Sequence, residues 1–205
     1  LDQNPSRKSS GSPLVKALLI IGVAFALVVT LLLGYAFLVA KPNLPKISAL
    51  TDYNPKTPLR IYTADKVLIG EFGEERRKVI PLNEIPASMK NAVLAIEDDR
   101  FYSHGGVDYV GIIRAAATNL RGHLSQGAST ITMQVARNFF LSNEKTFSRK
   151  IYEVLLAWEI ESQLTKDKIL EIYMNQIFLG QRAYGFSSAA QIYFGKELKD
   201  ISIAE

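Results

Sequence analysis

Three consecutive acids, Glu97-Asp98-Asp99, close an apolar run and lead into Arg100-Phe101-Tyr102-Ser103-His104-Gly105-Gly106-Val107-Asp108. A carboxylate held in a cleft can take the proton of a reacting hydroxyl, and partial desolvation raises its pKa toward that of a useful base. Negative charge at the C-terminal end of a helix opposes the helix dipole, so local helix physics does not account for the triplet. Two readings stand. The triplet is a solvated acidic helix end, or Glu97, which directly follows Ile96, is a base in a cleft.

A second group is Gly127-Ala128-Ser129-Thr130-Ile131-Thr132-Met133-Gln134. Glycine and hydroxyls at a helix start present free N–H groups and the positive dipole end, which suits an anion such as phosphate. An ordinary Ser/Thr cap has the same pattern. Gln134 and Arg137 fall on one face if the helix continues. The third group is Arg149-Lys150-Ile151-Tyr152-Glu153, whose Arg149 and Glu153 are four apart. They form either a surface pair worth under about 1 kcal/mol or a second carboxylate beside a cationic clamp. Glu171 and Asn175, also four apart, read as a helix-face pair. Residues 138–141, Asn-Phe-Phe-Leu, are either core or a lip that dips into a membrane.

Helices must carry most of these groups. Pro86 suits a first helical turn, and Met89, Val93 and Ile96 recur with helical spacing. Asp108 can cap a helix with the apolar line Val110, Ile113, Ala117 and Leu120. Ser129-Thr130 can cap another through Phe139. Residues 142–146 read as a polar break, and residues 147–164 as a long helix with Ile151, Leu155, Trp158 and Glu159 over successive turns. Thr165 can cap a helix to about residue 179; residues 180–185 read as a loop and 186–194 as helix. Two short β-like runs around Ala64-Asp65 read as a hairpin within residues 59–72. There are no internal repeats.

Residues 17–40 carry no charge. As a helix this run spans about 36 Å, enough for a hydrocarbon core of about 30 Å. A signal-peptide core is roughly 7–15 residues, and this run is longer, which favours an uncleaved anchor. Arg7, Lys8 and Lys16 precede it and Lys41 and Lys46 follow, a weak bias toward a cytoplasmic N-terminus. The expected organisation is a cytoplasmic tail at 1–16, a transmembrane helix at 17–40, a Pro-rich extended linker at 41–58 and a folded domain at 59–205. Of the 205 residues none is cysteine, which excludes disulfides, thiolate metal sites and a cysteine nucleophile. Two histidines are too few for a His-rich metal centre, although carboxylate-bound Mg2+ stays open. From residue 41 on there are 21 basic and 19 acidic residues. An anion site must therefore come from local clustering, and nucleic acid is not an expected partner.

The order and spacing of EDDRFYSHGGVD, GASTITMQ, RKIYE, KDKILEIYMNQIFLG and AYGFSSAAQIYFGK resemble the five motifs of the peptidoglycan glycosyltransferases. That family includes class A penicillin-binding proteins and monofunctional transglycosylases. The resemblance covers about residues 79–205, and the anchor with GQRAYG at 180–185 is most similar to the 1A-type branch. It implies a mainly α, lysozyme-like glycosyltransferase domain with a small β-hairpin, preceded by a single transmembrane helix and lying outside the cytoplasmic (inner) membrane. The implied partners are lipid II, the growing lipid-linked glycan chain, the membrane and other cell-wall synthesis proteins.

The implied reaction joins the C4 hydroxyl of one unit to the anomeric carbon of the lipid-linked chain, with inversion and loss of undecaprenyl pyrophosphate. By resemblance Glu97 is the general base and Glu153 the second essential glutamate, acting near the pyrophosphate through a divalent ion (Mg2+ or Mn2+) or by orienting cationic side chains. Ser129, Thr130, Gln134, Arg137, Asn138, Arg149 and Lys150 match substrate-binding positions; His104, Asp98, Glu171 and Asn175 match supporting ones. Arg137 stands where many relatives have lysine, and Met133 replaces a common glutamine. The family's domain continues past Glu205, and the penicillin-reactive domain of a bifunctional parent would lie beyond it. A lytic glycosidase on the same scaffold and a non-catalytic membrane scaffold are the competing functions.

Overall fold

The computed structural model describes residues 13–51, 58–73, 75–120, 127, 129–142, 144 and 146–205. Contacts divide the chain into two units, Leu1–Asn43 and Leu44–Glu205. In the first, an unbroken apolar sequence gives helix α1 (Pro13–Gly34), which buries none of its residues. A π-helical segment, Tyr35–Ala40, and a 3-10 turn, Lys41–Asn43, continue it. The Thr30 hydroxyl donates to the Ala26 carbonyl at 2.9 Å, so it is satisfied inside the helix. Among the described residues the run Pro13–Asn43 is the one helix long and apolar enough to cross a membrane. A helix apolar all round is a buried or a membrane helix.

The second unit begins with a short helix α2 (Ser48–Thr51), the hairpin β1 (Leu59–Tyr62) and β2 (Leu68–Phe72), and strand β3 (Arg76–Arg77). Helices α3 (Ala87–Glu97), α4 (Tyr109–Leu120), α5 (Ile131–Phe140), α6 (Phe147–Gln163) and α7 (Lys166–Gln176) follow, then β4 (Ala183–Tyr184) and α8 (Phe186–Phe194). The hairpin is antiparallel and runs from Leu59 opposite Phe72 to Tyr62 opposite Leu68. β3 and β4 form a separate parallel pair. The domain is thus mainly helical with little sheet, as the sequence predicts.

Helix α5 packs against both α6 and α7 at the centre. Its Ile131, Val135 and Ala136 meet Leu156 and Ile160 of α6 and Ile169, Leu170, Ile172, Tyr173 and Met174 of α7 in one buried cluster. Threonines start three of these helices. The hydroxyl oxygens of Thr130, Thr146 and Thr165 accept from the N–H of Met133, Arg149 and Lys168 at 3.2, 3.2 and 3.3 Å. Each cap satisfies a backbone donor that the helix cannot.

Four expectations change. Ile47 and Leu50 are buried in the central cluster and Ser48–Thr51 is helical, so part of the segment expected as an extended linker is packed; residues 52–57 lie outside the described residues. The expected apolar line of α4 does not face the core. Val110 and Ile113 are exposed, while Gly111 and Ala115 are buried. Gly111 is covered by the Asp108 carboxylate that caps the same helix, and a count of apolar residues cannot see that. Ile96 of α3 is 82% exposed, and Met89, Val93 and Leu94 pack instead. Finally Phe139, Phe140 and Leu141 pack against the core cluster, which favours the core reading of 138–141 over a membrane lip.

Candidate active site

The three acids that end α3 point to three different partners. Glu97 accepts from the Gln134 side-chain amide of α5 at 2.7 Å. Asp98, 7% exposed, accepts from the Ile131 N–H at 3.0 Å with one oxygen and meets His104 Nε2 at 2.8 Å with the other. Asp99 pairs at the surface with Arg114 at 3.2 Å. The placement that local helix physics disfavours is therefore explained by another helix. Asp98 sits at the N-terminus of α5, where negative charge and a free N–H are matched. It locks the end that carries Glu97 to the start of the helix that carries Gln134.

The Gly105-Gly106 turn runs along α6. Gly106 has φ +80°, and a Cβ there would lie 2.9 Å from the Ala157 carbonyl oxygen. Its own carbonyl accepts from the Thr130 hydroxyl at 2.6 Å. Thr130 is 2% exposed and also caps α5. It was expected among the substrate-binding residues, but its hydroxyl is committed to holding the turn and the helix together. Burial pushes Asp108 up, yet the Gly111 N–H and the Arg100 guanidinium outweigh it and hold the carboxyl below its ordinary value. Asp108 thereby ties the Arg100 end of the motif to the first turn of α4.

Lys150 reaches from α6 to the start of α5. Its ammonium donates to Ser129 Oγ at 2.8 Å and to Glu153 Oε2 at 2.9 Å. Arg149 Nε lies 3.1 Å from Glu153 Oε1. The glutamate is 1% exposed, whereas the Lys150 side chain is 45% exposed. The reading of Arg149 and Glu153 as a solvated surface pair is thus overturned. A buried carboxylate under two cations fixes where those cations stand; Lys150 reaches solvent, whereas the Arg149 side chain is 16% exposed.

Ser129 joins the two halves. A cleft of about 190 Å³ is lined by Ile96, Glu97, Asp99, Arg114, Ser129 and Thr130 among others. Glu97 is exposed and lines this cleft, and Lys150, which holds Glu153, reaches Ser129 from α6. The cleft is itself acidic, lined by Glu97, Asp98, Asp99 and Asp108 with Arg114, and Lys150 and Arg149 are not among its lining residues. Arg137 is half-buried and Asn138 exposed in the last turn of α5.

Tyr173, which the sequence did not single out, lies under this group. It is 1% exposed and its hydroxyl approaches Gln134 Oε1 at 3.5 Å. Burial and the Glu97 charge push the phenol above its ordinary value, against an opposing effect of Arg137. The available signal was a phenol on an otherwise aliphatic face of the α7 motif. Asn175 clamps the irregular segment that follows β3, accepting from the Ile80 N–H at 3.0 Å and donating to the Ile80 carbonyl at 2.8 Å. Glu171 accepts from the Leu82 N–H at 2.9 Å.

The residues around Glu153 do not fit a divalent cation. Its two oxygens already face Lys150 and Arg149, and no group of three His, Cys, Asp or Glu among the described residues is arranged to hold a metal.

A family profile described as transglycosylase matches residues 65–205. A penicillin-binding protein 1A of Neisseria gonorrhoeae is 57% identical over 175 residues, 85% of this chain and 22% of that protein. The penicillin-binding protein 1A of Pseudomonas aeruginosa is 54% identical over 171 residues, 83% of this chain and 21% of that protein. A crystal structure of penicillin-binding protein 1A from Haemophilus influenzae aligns with 74% of this chain and 13% of its own, at 25% identity and a TM-score of 0.31. The chain thus spans about a fifth of the length of the curated relatives it matches.

Proposed function

This chain belongs to the transglycosylase family, and from that premise we propose that it polymerises lipid II into peptidoglycan glycan strands. One observation carries the reading. Glu97, oriented by Gln134, stands in a cleft whose Ser129 rim leads directly to Lys150, Arg149 and the buried Glu153. That link supports reading Glu97 as a base and Lys150 with Arg149 as a cationic clamp for one substrate.

In the proposed reaction Glu97 takes the proton of the acceptor C4 hydroxyl as its oxygen bonds to the donor's anomeric carbon. The bond from that carbon to the phosphate oxygen breaks, and undecaprenyl pyrophosphate leaves with the electron pair. Attack from the opposite face inverts the configuration. Lys150, Arg149 and Ser129 receive the developing negative charge, which a prepositioned clamp stabilises most in the transition state. Glu153 acts as a positioning residue that keeps both cations aimed. Gln134, Arg137 and Asn138 line the substrate path along α5.

Helix α1 is read as the anchor in the cytoplasmic membrane, with the domain on its outer side. The parent is read as bifunctional, with a transpeptidase domain and partners in cell-wall synthesis.

The test is a gel assay of lipid II polymerisation by the full-length parent, with and without moenomycin, beside its Glu97→Gln variant. The expected result is moenomycin-sensitive polymer from the parent and none from the variant, with lipid II binding retained. Polymer from Glu97→Gln removes that residue from the base role. Soluble muropeptides released from sacculi would instead favour a lytic enzyme.

A further inference from the structure

A second charged cleft lies on the same domain, away from Glu97 and Lys150. It has a volume of about 240 Å³ and is lined by Arg60 and Tyr62 of β1, Arg76 of β3, Lys78, Glu197 and the first two turns of α8 through Ser187, Ser188, Gln191 and Ile192. Three cations and one carboxylate give it a net positive charge inside a domain that is otherwise nearly balanced. That excess is local clustering, which the composition does not provide.

The start of α8 supplies the directional part. Its first intrahelical bond runs from the Ala189 N–H to the Gly185 carbonyl at 3.1 Å. The N–H groups of Phe186, Ser187 and Ser188 therefore precede the ladder and have no helical acceptor. Ser188 lines the cleft, is 3% exposed, and its buried Oγ finds no hydrogen-bond partner. A buried hydroxyl without a partner is disfavoured, so it marks a group that something else satisfies. Lys78 is held by Glu197 across the mouth, with side chains 37% and 49% exposed.

We propose that the first turn of α8, with Ser188, Arg60, Arg76 and Lys78, is a binding site for a phosphate-class oxyanion. The free N–H groups and the dipole end of α8 face the anion. The Ser188 hydroxyl donates to one of its oxygens. Lys78 exchanges its contact with Glu197 for the ligand, so Glu197 competes with the anion for the ammonium. The cleft is larger than one phosphate group needs, which suits a phosphate carried on a larger molecule. The site does not depend on the transfer reaction and uses none of its residues.

The test uses the full chain, labelled with 15N, in neutral detergent micelles. Inorganic phosphate is titrated against chloride at constant ionic strength, and the amide shifts of Phe186, Ser187 and Ser188 are followed. A second arm adds phosphatidylglycerol to the micelles in place of free phosphate. Saturable shifts at these amides in either arm support the site, and the arm that saturates identifies whether the phosphate is free or on a lipid headgroup. Ser188→Ala and Lys78→Gln should each raise Kd about tenfold. Glu197→Gln should lower it about threefold, because it frees Lys78 and removes a like charge from the mouth. Ser188→Ala removes an unpartnered hydroxyl, so its thermal midpoint should hold or rise while binding weakens. The proposal is overturned if chloride moves the same amides equally or if neither arm moves them. A Kd that stays within twofold in both the Lys78→Gln and Glu197→Gln variants overturns it too.

Discussion

Replacing Asp98 by alanine tests the claim that the acid at the end of α3 serves α5. Two buried donors lose their acceptor: the Ile131 N–H and His104 Nε2, whose side chain is 5% exposed. Each orphaned donor costs about 1–3 kcal/mol. Removing a carboxylate from the first turn of α5 adds about 0.3–1 kcal/mol. Allowing for overlap, the expected destabilisation is about 3 to 5 kcal/mol. At about 2–4 °C per kcal/mol for a domain of this size, the thermal midpoint should drop by roughly 6–20 °C. Asp99→Ala is the internal control, because its pair with Arg114 is about half-exposed on both sides and such pairs contribute about 0–1 kcal/mol. Asp98→Asn keeps an oxygen for Ile131 and should fall between the two. The assay is unfolding of the full chain in micelles, followed by fluorescence of Trp158, the single tryptophan. An Asp98→Ala midpoint no lower than that of Asp99→Ala would refute the cross-helix cap.

Three further outcomes follow from the same geometry. Gly106→Ala should destabilise by about 2–4 kcal/mol, because its Cβ meets the Ala157 carbonyl at 2.9 Å on a backbone with φ +80°; urea midpoints of the two proteins measure it. Lys150→Met should cut the polymerisation rate about 100-fold or more with lipid II binding less affected, since the clamp acts mainly on the leaving group; a larger fall in binding than in rate would contradict that role. Asp108 and Glu171 both have carboxyls held below their ordinary values of 3.8 and 4.5, the first by Gly111 and Arg100 and the second by Lys168 and Leu82, in each case against burial. Their contribution is complete above those ordinary values and is lost as pH falls through the depressed ones, because the unfolded chain then binds more protons. Thermal midpoints should therefore decline below about pH 4, and Asp108→Asn should flatten that limb.

Much of the helical frame was legible in the chain. Thr130, Thr146 and Thr165 cap helices because a hydroxyl before an apolar run satisfies a donor three residues on, whatever surrounds it. The hairpin at 59–72 and the loop before α8 follow from turn chemistry in the same way. The chemistry-bearing residue types and their order were also written there, and so was the apolar run of α1. These are local properties, fixed by neighbours within a few positions.

Only the tertiary structure decided which face each group presents. Val110 and Ile113 have helical spacing and stay exposed, while Gly111, covered by the Asp108 carboxylate, and Ala115 are the buried positions of α4. Glu153 has the spacing of a surface pair and is buried, because α6 turns that side toward α5, where Lys150 meets Ser129. Asp98 opposes its own helix and completes another that starts 33 positions later. Periodicity fixes the angle of a side chain around its own axis; it carries no information about which other axis lies opposite.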